Sequence, residues 1–264
     1  MATTVTMLSQ KGGTGKTTAV RTLADVLRRI GVEVLCVDLD PQGNLSDYFD
    51  VPADAAPTIA DVLAGRARAV DAVYDGAIVP ANLGLAEAEL VLGGKMGREL
   101  TLRRALGELS PRYDLVLIDC PPSLGLLTVN ALVAADHAVI SSEAEYFSLQ
   151  GVEQALEVIE LAKDNLRPEL DWLGVLLNIA DMRLVHARDA LSQLRERFGE
   201  KVFGTVIRRS VRYAESAERG VSILDYAPDL GADYLSLADE LLARLGLADE
   251  RNRLAALRAE LVPA

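Results

Sequence analysis

The 264-residue sequence predicts an α/β fold: a doubly wound, mostly parallel sheet with helices on both faces. Three observations carry this expectation. Short apolar runs alternate along the chain with longer segments of helical period. Most of the short runs are near-continuous in Val, Ile and Leu, as parallel strands covered on both faces are. A glycine-rich turn joins the first such run to the first helical segment, and carboxylates close the next runs. That places polar chemistry at strand ends, where ligands sit in such sheets.

Strands are expected at residues 5–8, 34–38, 115–119, 138–141, 173–178 and 202–207, with a weaker one at 83–86. Helices are expected between them. In 17–30 the residues Val20, Leu23, Ala24, Leu27 and Ile30 share one face, and Gly31 stops the helix. The others fall at 58–63, 99–109, 124–134, 149–161, 187–198 and 230–245. Residues 50–80, with Pro52, Pro57 and Pro80, have the least regular pattern and read as a mobile surface loop. No internal repeat or low-complexity linker divides the chain. One domain over 1–264 is expected, with 249–264 a short helical tail carrying Leu254, Leu257 and Leu261 on one side.

Composition narrows the function classes. Half of the residues are hydrophobic, enough for one sizeable core. No apolar stretch is long enough to span a bilayer. The first strand begins almost at the amino end, leaving no room for a signal or transit peptide, so a cytoplasmic location is expected. Cys36 and Cys120 lie in or beside strand runs and read as core residues of a reducing compartment; Cys120 is expected nearer solvent. His137 and His186 have no cysteine pattern around them, which argues against a zinc site. The formal net charge of −12 disfavours nucleic acid as a partner. Its distribution softens that. Residues 183–219 hold nine Lys/Arg against five Asp/Glu, so a local basic face on an acidic body is possible.

The segment Lys11-Gly12-Gly13-Thr14-Gly15-Lys16-Thr17-Thr18 carries the clearest chemistry. It follows a strand and opens a helix, the context a phosphate-binding loop requires. Glycines let backbone N–H groups turn toward phosphate oxygens, and the helix presents its positive end to the anion. Lys16 is placed to reach the β/γ-phosphates of ATP, and the Thr17 hydroxyl to hold Mg²⁺. Lys11, a second lysine at the head of the loop, is the unusual feature. A Gly-rich turn alone would explain a glycine pair, but not a Gly-Lys-Thr-Thr ending after a buried-type strand. Next, Asp38 and Asp40 end a strand before a Pro41–Gly43 turn, where carboxylates order Mg²⁺ waters or the attacking water. Third, 115–118 is an apolar run ending in Asp119, where a carboxylate binds Mg²⁺ through water. Prolines at 121 and 122 stiffen the exit.

Together these motifs resemble the ParA/MinD superfamily of deviant Walker A P-loop ATPases, most closely its small, Soj-like partitioning members. Lys-Gly-Gly-x-Gly-Lys-Thr-Thr at 11–18 is similar to the family's phosphate loop. Asp-Leu-Asp-Pro-Gln-Gly-Asn at 38–44 is similar to its switch I, and Asp-Cys-Pro-Pro-Ser at 119–123 to its switch II. The resemblance spans nearly the whole chain, 5–245. It implies that Lys11 crosses a dimer interface to the partner's phosphates, that Asp40 positions or polarises the hydrolytic water, and that Asp38 supports the metal shell. Three weaker segments bear on the branch. Residues 142–151 partly match a ParA region ending in Leu-Glu-Gly. Asn178 falls where the family contacts adenine, and Arg183 where it contacts DNA. In 207–216, Arg209, Val211, Arg212 and Glu215 match, while Arg208 and Ser210 replace a proline and an asparagine, and a second proline is absent. The resemblance implies DNA contacts from Arg183, Arg209 and Arg212, with Arg219 a further candidate.

The expected function is therefore an ATPase that forms an ATP sandwich dimer, binds nonspecific DNA and is released by hydrolysis that a ParB-like adaptor stimulates, nucleoid-associated in its ATP state. A MinD-like membrane-positioning ATPase is the alternative. It needs a basic amphipathic tail, and here Arg251, Arg253 and Arg258 are balanced by Asp249, Glu250 and Glu260, with no Phe or Trp. Membrane is thus not expected as a partner. An iron–sulfur carrier or nucleotide-dependent ligase on the same fold is a second rival; a carrier needs exposed cysteines.

Overall fold

A computed structural model describes residues 2–145 and 148–261. Among these, seven strands form one parallel sheet: β1 (Thr3–Leu8), β2 (Val34–Asp38), β3 (Ile78–Val79), β4 (Leu115–Asp119), β5 (His137–Glu143), β6 (Asp171–Ala180) and β7 (Val202–Arg208), ordered β3-β2-β4-β1-β5-β6-β7. The helices are α1 (Lys16–Arg29), α2 (Asn44–Tyr48), α3 (Ile59–Ala64), α4 (Gly84–Gly93), α5 (Thr101–Gly107), α6 (Leu126–Ala134), α7 (Ser148–Asn165), α8 (Val185–Phe198), α9 (Arg212–Glu218), α10 (Ile223–Tyr226), α11 (Pro228–Arg244) and α12 (Ala248–Leu261).

Strand alternation sends side chains to two cores. Val5, Met7, Cys36, Leu115 and Leu117 face a core closed by α1, α10, α11 and α12. Leu8, Leu35, Val37, Val116 and Ile118 face the other, closed by α3 to α8. All five residues expected on one face of α1 are buried. The connections from β1 and from β4, neighbours in the sheet, leave in opposite directions, which opens a crevice at their carboxyl ends. Register fixes what lies there. Asp38 pairs with Asp119 and Asp119 with Met7, so two carboxylates and the start of the glycine loop share one edge.

Four expectations need correction. The weak strand at 83–86 is the start of α4, because Leu85, Ala88 and Leu92 pack inward at helical spacing. Residues 50–80 are not a loose loop: α3, a short 3₁₀ turn and β3 bury Ile59, Leu63, Ala69, Ala72 and Ile78. Prolines at 52, 57 and 80 punctuate the stretch, and its elements are too short to show a period. The helix expected over 99–109 is α5 with a 3₁₀ turn before it. Cys120 is fully buried like Cys36, because β4 runs on into a tight exit beneath the loop. The tail helix α12 buries Leu254 against α1 and α11, with Leu257 and Leu261 partly covered. No helix among the described residues is long and apolar enough to cross a membrane.

Candidate functional site

The loop 9–15 wraps over the amino end of α1. Gly13 and Gly15 both have φ of 76°, a region open to glycine at little cost. At Gly15 the constraint is double, since a Cβ would lie 2.6 Å from the Asn178 side chain. No side chain caps α1, and no acidic residue occupies its first turn. Its amino end is thus left to an anion from outside the protein.

Ser9, which the motif reading missed, organises the loop. Buried at the end of β1, its hydroxyl accepts from Thr14 Oγ1 (2.9 Å) and Lys16 Nζ (2.8 Å) and donates to the Lys11 carbonyl (2.7 Å). Ser141, on β5, donates to the Thr14 carbonyl (2.7 Å). The sequence signal was a polar residue ending an apolar strand. Lys16 is only 5% exposed. Burial pushes its ammonium below the ordinary value, while Asp119 and Asp40 pull it back.

The acidic residues divide by what their oxygens do. Thr17 Oγ1 donates to Asp119 Oδ2 at 2.6 Å, and Asp119 Oδ1 is buried without a partner. Burial and the nearby Asp38 charge push the Asp119 carboxyl up to about 8. Asp38 behaves otherwise. Its Oδ1 accepts from the Asp40 N–H, and its Oδ2 from both the N–H (3.0 Å) and the hydroxyl (2.8 Å) of Ser46. Burial lifts it to about 6. With both oxygens engaged inward, Asp38 braces the 40–46 turn and does not face the cleft as a metal-shell carboxylate was expected to. Asp40, 9% exposed, lines the cleft itself, held by the Gln42 N–H at 3.0 Å.

The cleft has a volume of about 560 Å³. Residues 12–18 form its floor. Asn44, Asp47 and Tyr48 from α2 stand on one side, and Ala214, Ala217 and Glu218 from α9 on the other. Of these flanking residues the motifs included Asn44 alone as a matched position, because both helices are too short to show a period. Arg21 of α1 stacks 4.0 Å over the Tyr48 ring and steadies that wall. Ile179 also lines the cleft, at φ 52°, a strained setting for a β-branched residue. Asn178 holds it there by accepting the Ile179 N–H (2.9 Å), while its own amide donates to the Gly15 carbonyl (3.2 Å). Asn178 is therefore buried beneath the loop rather than open to a base.

Lys11 lies apart from this cleft. It is half-exposed, and its Nζ is 3.1 Å from the Glu145 carboxylate. The arginines at the carboxyl ends of β6 and β7 are close in the fold, since Ala180 pairs with Arg208. Arg183, 89% exposed, pairs with Asp181 at 2.6 Å. Arg183, aided by Arg209, holds the Asp181 carboxyl down at about 2. Arg208 pairs with Asp233, and Arg212 with Asp229. Arg209 makes no ion pair among the described residues, and Arg219 stacks 5.1 Å over Tyr226.

A helix-capping glycine loop with a buried lysine, a Thr–Asp pair behind it and a second aspartate facing the cleft define a P-loop ATPase. Comparison with known proteins narrows the class. A family model described as an AAA domain matches residues 2–172. The chromosome-partitioning ATPase Soj of Thermus thermophilus is 42% identical over 91% of this chain and 96% of its own. The sporulation initiation inhibitor protein Soj of Bacillus subtilis is 39% identical over 92% and 99%. A crystal structure of cobyrinic acid a,c-diamide synthase from Mycobacterium smegmatis with bound ADP and magnesium superposes with TM-score 0.75, at 36% identity over 83% of this chain and 93% of that one. The chain belongs to the AAA-domain family of P-loop proteins and, within it, to the Soj-like branch of the ParA/MinD superfamily of ATPases.

Proposed function

We propose that this ATPase is a nucleotide-gated partitioning switch. It closes into a sandwich dimer on ATP, binds nonspecific DNA in that state, and lets go after hydrolysis that a ParB-like adaptor accelerates. The single observation that carries the reading is the position of Lys11. The site has its own buried lysine, Lys16, while Lys11 stands outside the cleft on an exposed ion pair. A lysine so placed serves a second subunit better than its own.

The residues then divide the work. The N–H groups of 12–18 and the Lys16 ammonium bind the phosphates. The orphaned Asp119 Oδ1 beside the Thr17 hydroxyl is an all-oxygen pair that suits Mg²⁺, a cation that keeps most of its waters. Mg²⁺ held there would neutralise charge on the β- and γ-phosphates. Asp40 orients the attacking water, and Asp38 with Ser46 fixes the turn that carries Asp40. Asn178 sets the height of Gly15, and Ile179 offers an apolar wall to the base.

DNA would meet the face where Arg183, Arg209 and Arg212 cluster. Phosphate contacts of this kind carry no sequence information. Two of the three already pair with aspartates, so affinity should be modest per subunit and depend on the doubled face of a dimer. The Thermus thermophilus relative is named a chromosome-partitioning ATPase, which favours this reading over a ligase. The membrane alternative loses support from the tail. Its leucines pack into the core, Arg251 is tied to Asp239 and Arg253 to Glu250. The protein is expected in the cytoplasm, on the nucleoid when ATP is bound. Sedimentation with ATP and with ADP tests the dimer. A monomer under both would refute the reading.

A further inference from the structure

We propose that Arg21 is a positioning residue that straps the two walls of the nucleotide cleft together from outside, and so sets how long a nucleoside stays between them. It rests on the nucleotide site alone, so it goes beyond the partitioning reading and survives the failure of that reading.

The phosphate loop fixes where a nucleoside can go. Residues 12–18 form the floor of the cleft, with groups that suit phosphate. Ribose and base must therefore extend outward, between Tyr48 of α2 and the edge of α9 that carries Ala214, Ala217 and Glu218. Neither wall is a long element. Helix α2 has five residues and α9 seven, too few turns to hold a position by themselves. The gap between them is set by what they are tied to.

Both are tied to α1, and the two ties meet at Arg21. On one side its guanidinium lies 4.0 Å over the Tyr48 ring. Arg28 lies 5.1 Å over the Phe49 ring, so arginines at i and i+7 of α1 hold two consecutive aromatic residues. On the other side, Arg21 Nη2 donates to the Val221 carbonyl at 3.5 Å, a long contact. The next residues along this face of α1 continue the seam. Asp25 accepts from the Ser222 hydroxyl, and Arg29 grips Asp225 with two bonds of 3.0 and 2.6 Å. The segment so fastened leads to Tyr226, whose hydroxyl donates to Glu215 (2.9 Å) and whose ring lies under Arg219. Helix α9 is thus joined to α1 through 221–226, and Arg21 is the fastening nearest the phosphate loop along α1. Arg21 does not itself line the cleft. It acts through Tyr48 on one wall and the chain at Val221 on the other. Helix α9 keeps a separate edge contact with α11, Tyr213 against Tyr234 at 5.8 Å. Without Arg21 the walls therefore stay folded but part more readily, and ADP leaves sooner.

Two probes separate the walls from the floor. Displacement of anthraniloyl-labelled ADP by excess ATP, in a stopped-flow fluorimeter, gives the release rate. Titration calorimetry with Mg²⁺ and tripolyphosphate, which has no nucleoside, reads the floor alone. Arg21→Met keeps the aliphatic stem and should release the labelled ADP about fivefold faster, the effect that a cation–π contact of this kind carries. Tripolyphosphate affinity should stay within about twofold of wild type, because no contact of the floor changes. Tyr48→Leu should match Arg21→Met, while Tyr48→Phe keeps the ring and should release like wild type. Arg21→Met with Tyr48→Leu should be no faster than either alone, since both break one strap. Release at the wild-type rate from Arg21→Met or Tyr48→Leu would overturn the proposal. So would a parallel loss of tripolyphosphate affinity, which would make Arg21 a support of the loop. Effects that multiply in the double variant would make the two contacts independent and overturn it too. Absence of an ATP-dependent dimer or of DNA binding would refute the partitioning reading and leave these measurements untouched.

Discussion

Thr17 donates its hydroxyl to one oxygen of Asp119 over 2.6 Å, and the other oxygen of that buried carboxylate has no partner. An unsatisfied buried polar atom costs roughly 1–3 kcal/mol. The site is thus less stable empty than it need be. What Asp119→Asn removes is the buried charge that burial and Asp38 oppose, so above about pH 8 it should raise Tm of the nucleotide-free protein by a few degrees, at about 2–4 °C per kcal/mol for chains of this size. The same change should cut Mg²⁺-dependent hydrolysis at least 100-fold. Calorimetry and phosphate release check the two halves, and a variant less stable than wild type would contradict the first.

Gly15 is constrained by its own φ and by Asn178. Gly15→Ala sets a methyl 2.6 Å from the Asn178 amide and places alanine in a left-handed conformation, itself worth about 1–2 kcal/mol. Adding Asn178→Ala should recover the steric part but not the conformational part. Urea melts of the single and double variants would show partial rescue. Full rescue would mean the backbone strain is negligible.

Ser9→Ala removes three hydrogen bonds from the loop and leaves Lys16 with only the Lys11 carbonyl at 3.3 Å. Tenfold weaker ATP binding is expected, by titration calorimetry, with the circular dichroism spectrum unchanged. Undiminished affinity would remove Ser9 from the site.

The Lys11–Glu145 pair is exposed, so breaking it should cost only about 0–1 kcal/mol of stability. Glu145→Gln frees Lys11 and should raise ATP-dependent dimerisation a few-fold in sedimentation, while Lys11→Ala abolishes it. Weaker dimerisation in Glu145→Gln would show that the carboxylate guides Lys11 across the interface instead of holding it back.

His137 is half-buried, and its Nδ1 has no hydrogen-bond partner. Burial lowers its pKa below the ordinary 6.5, against the pull of Asp171. The native state then binds fewer protons there than the unfolded chain, so its contribution is present above 6.5 and lost as pH falls below it. His137→Gln should flatten the stability profile between pH 5 and pH 6.5, roughly the range of histidine titration. An unchanged slope would place the pH dependence elsewhere.

The strands were legible in the sequence because a sheet buried on both faces writes continuous apolar runs. The bounds of β2 and β4 agree residue for residue with the expected 34–38 and 115–119. The ends of β5 and β6 were not, because polar residues such as Ser142 and Asp171 continue a ladder whose backbone pairs regardless of side chain. Short helices α2, α9 and α10 left no period to read. In the site, the glycines, Lys16, Thr17 and Asp119 could be placed by motif. What each carboxylate oxygen does could not: Asp38 and Asp40 sit two residues apart at one strand end, and only the fold shows one turned inward on Ser46 and the other on the cleft. Asn178 stood at the right place for a nucleotide contact, yet packing put it under Gly15.

The central claim is a DNA-binding switch set by ATP. Its most direct test is binding to nonspecific duplex DNA at low and moderate salt, with ATP, with ADP, and for Lys16→Ala. Binding that needs ATP, weakens with salt and vanishes in the variant is the predicted result. Binding that ignores the nucleotide, or no binding under any condition, would contradict the account.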